Sequence, residues 1–155
     1  MYLGDLYESD EHENLYRPRT IMICGTRNPI SSADECNIAS TIKDLHMKYN
    51  MCTLICEDRT SVDRIATRTA SILGWSIISI NTNWKQYGKN ARKERNMHII
   101  HQYDPNILIA FPSSDSKGTL NTVRDLDDYQ IQYGSNLEDI IVKYLECPRR
   151  SNNNI

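Results

Sequence analysis

Small and polar residues follow two apolar runs of this chain, and their types suit the binding of an anion. The first run, residues 20–24, ends at Gly25-Thr26-Arg27, and the second, residues 107–111, ends at a polar turn. A glycine turn lets the backbone approach a ligand closely, and an arginine guanidinium can hold a phosphate through two hydrogen bonds. The second turn leads into a helix start, where N–H groups that lack a helical partner also favour an anion. Its candidate ligand-binding residues are Pro112, Ser113, Ser114, Gly118 and Thr119.

Four further side chains are candidates for the same ligand. Arg95 is expected to lie over the sheet's carboxyl end, where it would pair with a phosphate or a ribose. Its alternative is a surface ion pair with Glu94 or Asp63. Asp63 either caps its helix or accepts a hydrogen bond from a ribose. Trp84 and Tyr87 can stack on a base, or can simply pack their loop against the body. For both turns, the alternative is a polar loop without a ligand.

Apolar runs and helical periods alternate along the chain, and this alternation predicts the fold that would carry these residues. The expected strands cover residues 20–24, 51–56, 75–80, 107–111 and 140–145, and the expected helices cover about 33–49, 61–73, 91–103 and 119–132. Such alternation predicts an α/β fold, with a Rossmann-like parallel sheet of about five strands and helices on both faces. We expect a tail over residues 1–19, one domain over 20–146 and a polar tail over 147–155.

Two cap patterns and one connection complete the expected elements. Ser32-x-x-Glu35 resembles a capping box at the start of the first helix. Asn90 is expected to cap the helix that begins near residue 91. Residues 81–88 are expected to form a connecting loop.

Composition and charge limit the function classes. The chain has 155 residues and a net charge of −2, so no broad positive field attracts nucleic acid or a membrane surface. Its five cysteines have no metal-ligand spacing, and we expect them to be reduced thiols in a cytoplasmic protein without a cofactor or metal. His98 and His101 lie three residues apart, but a surface or interface role is preferred over a metal site.

A set of short motifs in a fixed order resembles the DUF2493 (YAcAr, YspA-like) family of the SLOG superfamily. They are Gly25-Thr26-Arg27, Trp84-x-x-Tyr87-Gly88-Lys89-x-Ala91, Arg95-Asn96, Asp104-Pro105, Ala110-Phe111-Pro112 and Gly118-Thr119-x-x-Thr122-Val123. The resemblance covers about residues 20 to 145. It implies a Rossmann-like domain that binds a nucleotide or a nucleotide-derived ligand, and it implies distant relatives among the LOG (Lonely Guy) phosphoribohydrolases and the DNA-binding protein DprA.

The chain departs from the family pattern at two places, the turn after the second strand and the central loop with the helix start that follows it. The turn after the second strand lacks the family's glycines; only Asp63 matches there, and the Glu57 and Asp58 carboxylates would repel a phosphate. Ser113 and Ser114 replace two glycines after the proline. Asn121 occupies the place of the LOG glutamate and cannot act as a carboxylate nucleophile or base.

The favoured function is therefore binding of a nucleotide or NAD-derived ligand without turnover, as a sensor or a sink for a signalling nucleotide in a bacterial or phage setting. One alternative is a nucleoside-monophosphate N-glycosidase that uses Asp115 or Asp63 in place of the missing glutamate. The other is a DprA-like DNA- or protein-interaction module. We expect no nucleic acid and no membrane partner, and a homo-oligomer stays open.

Overall fold

The computed structural model describes residues 18–57, 60–81, 84–115, 117–134 and 136–147. The two predicted tails therefore lie almost entirely outside the described residues. At their inner ends, Arg19 is buried and Cys147 is half-buried. Among the described residues, no helix is both long enough and apolar enough to cross a membrane.

Five parallel strands form one sheet in the order β3-β2-β1-β4-β5. They are β1 (Thr20–Gly25), β2 (Thr53–Cys56), β3 (Ser76–Ser79), β4 (Ile107–Phe111) and β5 (Asp139–Val142). The helices are α1 (Ser32–Tyr49), α2 (Ser61–Ile72), α3 (Trp84–Tyr87), α4 (Ala91–Tyr103) and α5 (Lys117–Tyr133). This arrangement confirms the predicted α/β, Rossmann-like class. It also brings the turns after β1 and β4 to one edge of the sheet, because those strands are adjacent and parallel.

The core has one layer on each face of the sheet. On one face, side chains such as Ile38 of α1 and Ala66 of α2 pack against the strands, and on the other face Ile99 of α4 and Leu126 of α5 do so. All five residues of β4 are buried, as a strand covered on both sides requires. The central strands β1 and β4 are thus held rigidly, and the residues at their carboxyl ends are held with them.

Helix starts differ from the predicted caps in two cases. The box at α1 consists of Ser31 and Asp34, and not of Ser32 and Glu35. Asp34 is favoured because its carboxylate also accepts hydrogen bonds from the backbone N–H groups of Glu146 and Cys147, at 2.8 and 2.9 Å. Asn90 makes no side-chain cap, since a 3₁₀ turn (Gly88–Asn90) runs directly into α4. The short α3 and the first residue of that turn lie within residues 81–88, which the sequence predicts to be a connecting loop.

Candidate functional site

A cavity of about 330 Å³ lies at the carboxyl ends of β1, β2 and β4. Its floor includes apolar side chains of the sheet and of α4, among them Met22, Ile55 and Ile99. Its walls come from the turns after the three strands and from the first turns of α2 and α5. In a doubly wound sheet this is the edge at which ligands bind, because chain turns diverge there and leave a crevice.

Most of the predicted site residues meet in this cavity. Those that line it are Gly25, Thr26, Arg27, Asp63, Arg95, Gly118 and Thr119. Pro112, Ser113 and Ser114 do not line it: the first two are buried and Ser114 is exposed. The side chains of Trp84 and Tyr87 lie outside what the structure describes, so base stacking by either stays a prediction.

Ser113 and Thr26 join the turns after β4 and β1 directly. Their hydroxyl oxygens lie 3.0 Å apart, and the Ser113 hydroxyl donates to Asp115 Oδ1 at 2.7 Å. Since Ser113 has one hydroxyl proton, Thr26 must be the donor to Ser113. Asn28 Nδ2 donates to both Ser113 Oγ and Asp115 Oδ1, at 3.1 and 2.9 Å. This polar network fixes the position of Arg27 relative to the start of α5. Ser113 and Asp115 support the two turns in this way, and Ser113 itself lies outside the cavity lining.

Gly25 has a steric role. A Cβ built there would lie 2.6 Å from Val62 Cγ1, which is far closer than two such carbons can approach. Val62 is fully buried in the first turn of α2. The glycine therefore lets α2 begin directly against the end of β1, and this places Asp63 at the cavity.

Asp63 forms the capping box of α2 together with the N-cap residue Thr60, and it also lines the cavity. Its backbone N–H donates to Thr60 Oγ1 at 3.1 Å, and its carboxylate accepts from the Thr60 backbone N–H at 3.3 Å. Of the two alternatives that the sequence leaves open, capping and ribose binding, the structure shows the capping contact. A carboxylate here also offsets the partial positive charge of the helix end. The start of α2 is thus less suited to an anion than the start of α5, where Lys117 and Gly118 line the cavity.

Arg95 and Glu57 form an ion pair in the cavity wall, between Arg95 Nη1 and Glu57 Oε2. Their side chains are only 10% and 12% exposed. The guanidinium is held a second time by Asn96 Oδ1, which accepts from Arg95 Nε and Nη2 at 3.3 and 3.0 Å. The sequence suggests Glu94 or Asp63 as an ion-pair partner, and the structure shows Glu57 in that role.

Asn96 and Thr122 tie this ion pair to the helix that carries the anion-binding turn. The fully buried Asn96 donates through Nδ2 to Thr122 Oγ1 at 3.0 Å, and Thr122 Oγ1 donates in turn to the Gly118 carbonyl at 3.2 Å. A continuous chain of hydrogen bonds therefore runs from Glu57 through Arg95 and Asn96 to the first turn of α5. The two sides of the cavity are rigidly coupled.

Cys24 contributes a thiol at the end of β1. Burial raises the pKa of Cys24 to about 12, and the nearby positive charge of Arg95 offsets this only in part. The thiol is protonated at neutral pH, so Cys24 is not a thiolate nucleophile there. Among the described residues, no group of three or more histidine, cysteine or acidic side chains is placed to hold a metal ion.

Sequence reasoning does not assign Glu57, Asn28 or Lys117 to the site. Asn28 and Glu57 lie in the turns after β1 and β2, and Lys117 begins α5. This position at the rim of the sheet is the signal that the sequence offers. From the sequence, Glu57 is expected only to repel a phosphate. Its pairing with Arg95 cannot be inferred from local pattern, because the two residues are 38 positions apart.

Comparison of the chain with models of protein families, with curated proteins and with solved structures gave no significant match. The resemblance to the SLOG superfamily therefore stays a prediction from the motifs. The function has to be inferred from the geometry and the charges of the cavity.

Proposed function

We propose that this protein binds a small nucleotide or nucleotide-derived ligand in the cavity at the carboxyl end of the sheet. The observation that carries the proposal is the meeting of Arg27, Lys117 and the first turn of α5 around one crevice beside an apolar floor. The cations and the helix N-terminus suit a phosphate. The apolar floor suits a base or a sugar face.

Size and charge favour a compact ligand with few phosphates. The volume is near the lower end of the range for small-molecule sites, which is about 300–1,000 Å³. The charged residues among those that line it are three cations and three carboxylates, namely Arg27, Arg95, Lys117, Glu57, Asp63 and Asp115. Such a balance does not match the several negative charges of a triphosphate, and it does not match a nucleic-acid backbone. We therefore propose a monophosphate and no nucleic-acid partner.

We propose that the protein binds this ligand without converting it. Asn121, at the place of the LOG glutamate, is not among the residues that line the cavity. Asp115 and Asp63, the two suggested substitutes, hold the loop network and the cap of α2. If the protein were an N-glycosidase, incubation with nucleoside monophosphates would release free base, and chromatography would detect it. We expect release no faster than in a blank without protein.

Titration calorimetry and thermal shift with a panel of nucleoside monophosphates, ADP-ribose and cyclic ADP-ribose isomers test the binding itself. A bound ligand raises the melting temperature by mass action. Lys117→Ala should weaken binding about ten-fold, the effect of one lost charge-assisted contact. Lys43→Ala removes an exposed lysine of α1 and should leave binding unchanged. A wild-type protein that binds none of these compounds would refute the proposal.

Self-association remains a separate prediction. A homo-oligomer would appear as a multiple of the 18.0 kDa chain mass in size-exclusion chromatography with light scattering. The ligand proposal does not depend on this result, because the described cavity is built from residues of one chain.

A further inference from the structure

Strand β5 forms one edge of the sheet, and its outer side can accept another strand. In the part of the chain that the structure describes, β5 pairs only with β4. The backbone N–H of Lys143, just after β5, donates to the Ala110 carbonyl of β4 at 2.9 Å. Because successive N–H groups of a strand point to opposite sides, those of Ile140 and Val142 point away from β4. Such an edge is a template for pairing with a further chain.

Apolar side chains lie along this edge. Val142 is 39% exposed and Tyr144 is 61% exposed, and the two share one face of the sheet because side chains alternate along a strand. Ile140 and Ile141 between them and the start of the strand are only partly buried. An edge of this kind favours association with another strand, and the charges around it determine which strand fits.

Opposite charges flank the apolar centre of β5 at equal distances. Asp139 precedes Ile141 by two residues and Lys143 follows it by two, and both charged residues are exposed. In an antiparallel pair of two copies with the two-fold axis at Ile141, Asp139 lies directly opposite the partner's Lys143. In the same register Ile140 lies opposite the partner's Val142. These are the residues whose backbone groups point outward, so they can exchange hydrogen bonds.

Other registers lose this match. An axis at Ile140 would place Asp139 opposite the partner's Ile141, and an axis at Val142 would place Lys143 opposite it. An axis at Asp139 or at Lys143 would bring two like charges together, which is unfavourable. The opposite edge of the sheet, β3, has a serine at each end and offers no pair of charges. The pattern of β5 therefore selects one register of self-pairing.

Lys143 can make the new contact and keep the one it has. Its Nζ donates to Thr41 Oγ1 of α1 at 3.0 Å, and an ammonium group has three donors. Ile141 packs against the core layer on the same side, so the charged pair and the centre of the interface lie on the α1 face of the sheet.

We propose that two copies of this protein pair through β5 in antiparallel orientation, with the two-fold axis at Ile141. The two five-stranded sheets then join into one continuous sheet. Because the paired strands are only four residues long, the interface is small and the dimer is a weak one. This inference is independent of the proposed function: among the described residues that line the ligand cavity, none belongs to β5.

Sedimentation equilibrium of the full chain tests the dimer. The wild-type protein should approach twice the chain mass of 18.0 kDa as its concentration rises to about 100 μM, a range suited to a small interface. A protein that keeps the mass of one chain over this whole range would overturn the proposal.

Exchange of the two charges tests the register. Asp139→Lys places a lysine opposite the partner's Lys143 at two symmetric positions, and the dissociation constant of the dimer should rise about ten-fold or more. Asp139→Lys combined with Lys143→Asp restores opposite charges, and the dissociation constant should return to within about three-fold of wild type. The double exchange also restores the net charge of the wild-type chain.

Asp44→Lys is the matched control, because it makes the same change of charge at an exposed position of α1. It should leave the dissociation constant unchanged. A dimer that Asp139→Lys weakens no more than Asp44→Lys does would place the interface elsewhere and overturn the proposal. Failure of the folded double variant to regain the dimer would overturn the register.

Discussion

At the amino end of the sheet polar side chains pair with one another over short distances, whereas at the carboxyl end they surround a cavity. Arg19 Nε lies 2.8 Å from Glu138 Oε2, and Asn106 Oδ1 accepts from the Thr20 N–H at 2.9 Å. A void near this end, beside Pro105, has a volume of about 10 Å³, room for about one water. The carboxyl end holds about 330 Å³ beside an ion pair that is nearly buried.

This difference indicates which polar residues serve stability and which serve a ligand. A buried ion pair stabilises a fold weakly, because desolvation of both charges offsets their attraction. Apolar side chains of similar volume often stabilise a domain as well as such a pair does. The presence of Glu57 and Arg95 around an open space is therefore a local departure from the rules that shape the rest of the molecule, and such departures are typical of functional sites.

The largest expected effect comes from breaking the ion pair and then removing it. Glu57→Leu alone should lower the free energy of unfolding by about 3 kcal/mol, because the nearly buried Arg95 guanidinium loses the carboxylate that pairs with it. The double variant Glu57→Leu/Arg95→Met should return to within about 1 kcal/mol of wild type, since two apolar side chains then pack together. Urea unfolding measures both values.

The double variant should regain stability but not ligand binding, and calorimetry would show this. If the double variant stays as unstable as the single one, the pair is needed for stability, and the contrast between the two ends of the sheet disappears. The single variant Arg95→Met is the reciprocal control. It should lower the free energy of unfolding by a similar amount, because it leaves the Glu57 carboxylate without the Arg95 guanidinium.

The next effect concerns the close approach of α2 to β1. Gly25→Ala should destabilise the domain by about 2 kcal/mol, because the new methyl group overlaps Val62. The same change should cost clearly less in a Val62→Ala background, where space has been made. A double-mutant cycle by urea unfolding measures this coupling. Purely additive effects would show that the glycine serves some purpose other than this contact.

Elements with strong periodicity can be predicted from the sequence. The expected strand at 107–111 and the expected helix at 91–103 coincide with β4 and α4. A run of five apolar residues and a helix that ends before Asp104-Pro105 leave little freedom in where those elements begin and end. The predicted cap of α1 lies one residue too far along, because Ser31 and Ser32 are both good caps and only Asp34's contact with the C-terminal segment decides between them.

The candidate site is predictable only in part, for a related reason. The positions of Arg27 and Gly118 at one rim follow from parallel strands and their order. The bond between Thr26 and Ser113 joins residues 87 positions apart, and no local pattern records it. The sequence predicts that Ser113 binds the ligand, but its hydroxyl serves the loop network, since burial beside Asp115 gives it partners within the protein.

A smaller effect is expected from Asp34. Its side chain lies near the carboxyl end of the sheet, but it is paired as tightly as the polar side chains at the amino end. Burial acts to raise the pKa of Asp34, but hydrogen bonds from Ser31, Glu146 and Cys147 outweigh it and hold the pKa below its ordinary value of 3.8. The unfolded state therefore binds more protons near that pH. The stabilisation is fully present above pH 3.8 and is lost as the pH falls through the lower folded-state pKa.

Asp34→Asn should accordingly cost about 1 kcal/mol near neutral pH. The difference from wild type in the urea midpoint should narrow once the pH is below 3.8. Asp44→Asn, at an exposed position of the same helix, is the control and should show little difference at either pH. A difference between Asp34→Asn and wild type that is constant with pH would show that the carboxylate charge does not contribute.

The smallest effect is expected at the amino end. Glu138→Gln removes the charge that pairs with Arg19, but the Glu138 side chain is 41% exposed, so solvent screens the pair and the cost should stay below about 1 kcal/mol. Arg19 also keeps its contact with the Tyr49 ring, whose centroid lies 4.7 Å from the guanidinium carbon. Urea unfolding measures the change in stability, and calorimetry should show nucleotide affinity equal to that of wild type. Weaker binding in this variant would mean that the amino end communicates with the cavity, and the division of roles between the two ends of the sheet would then be wrong.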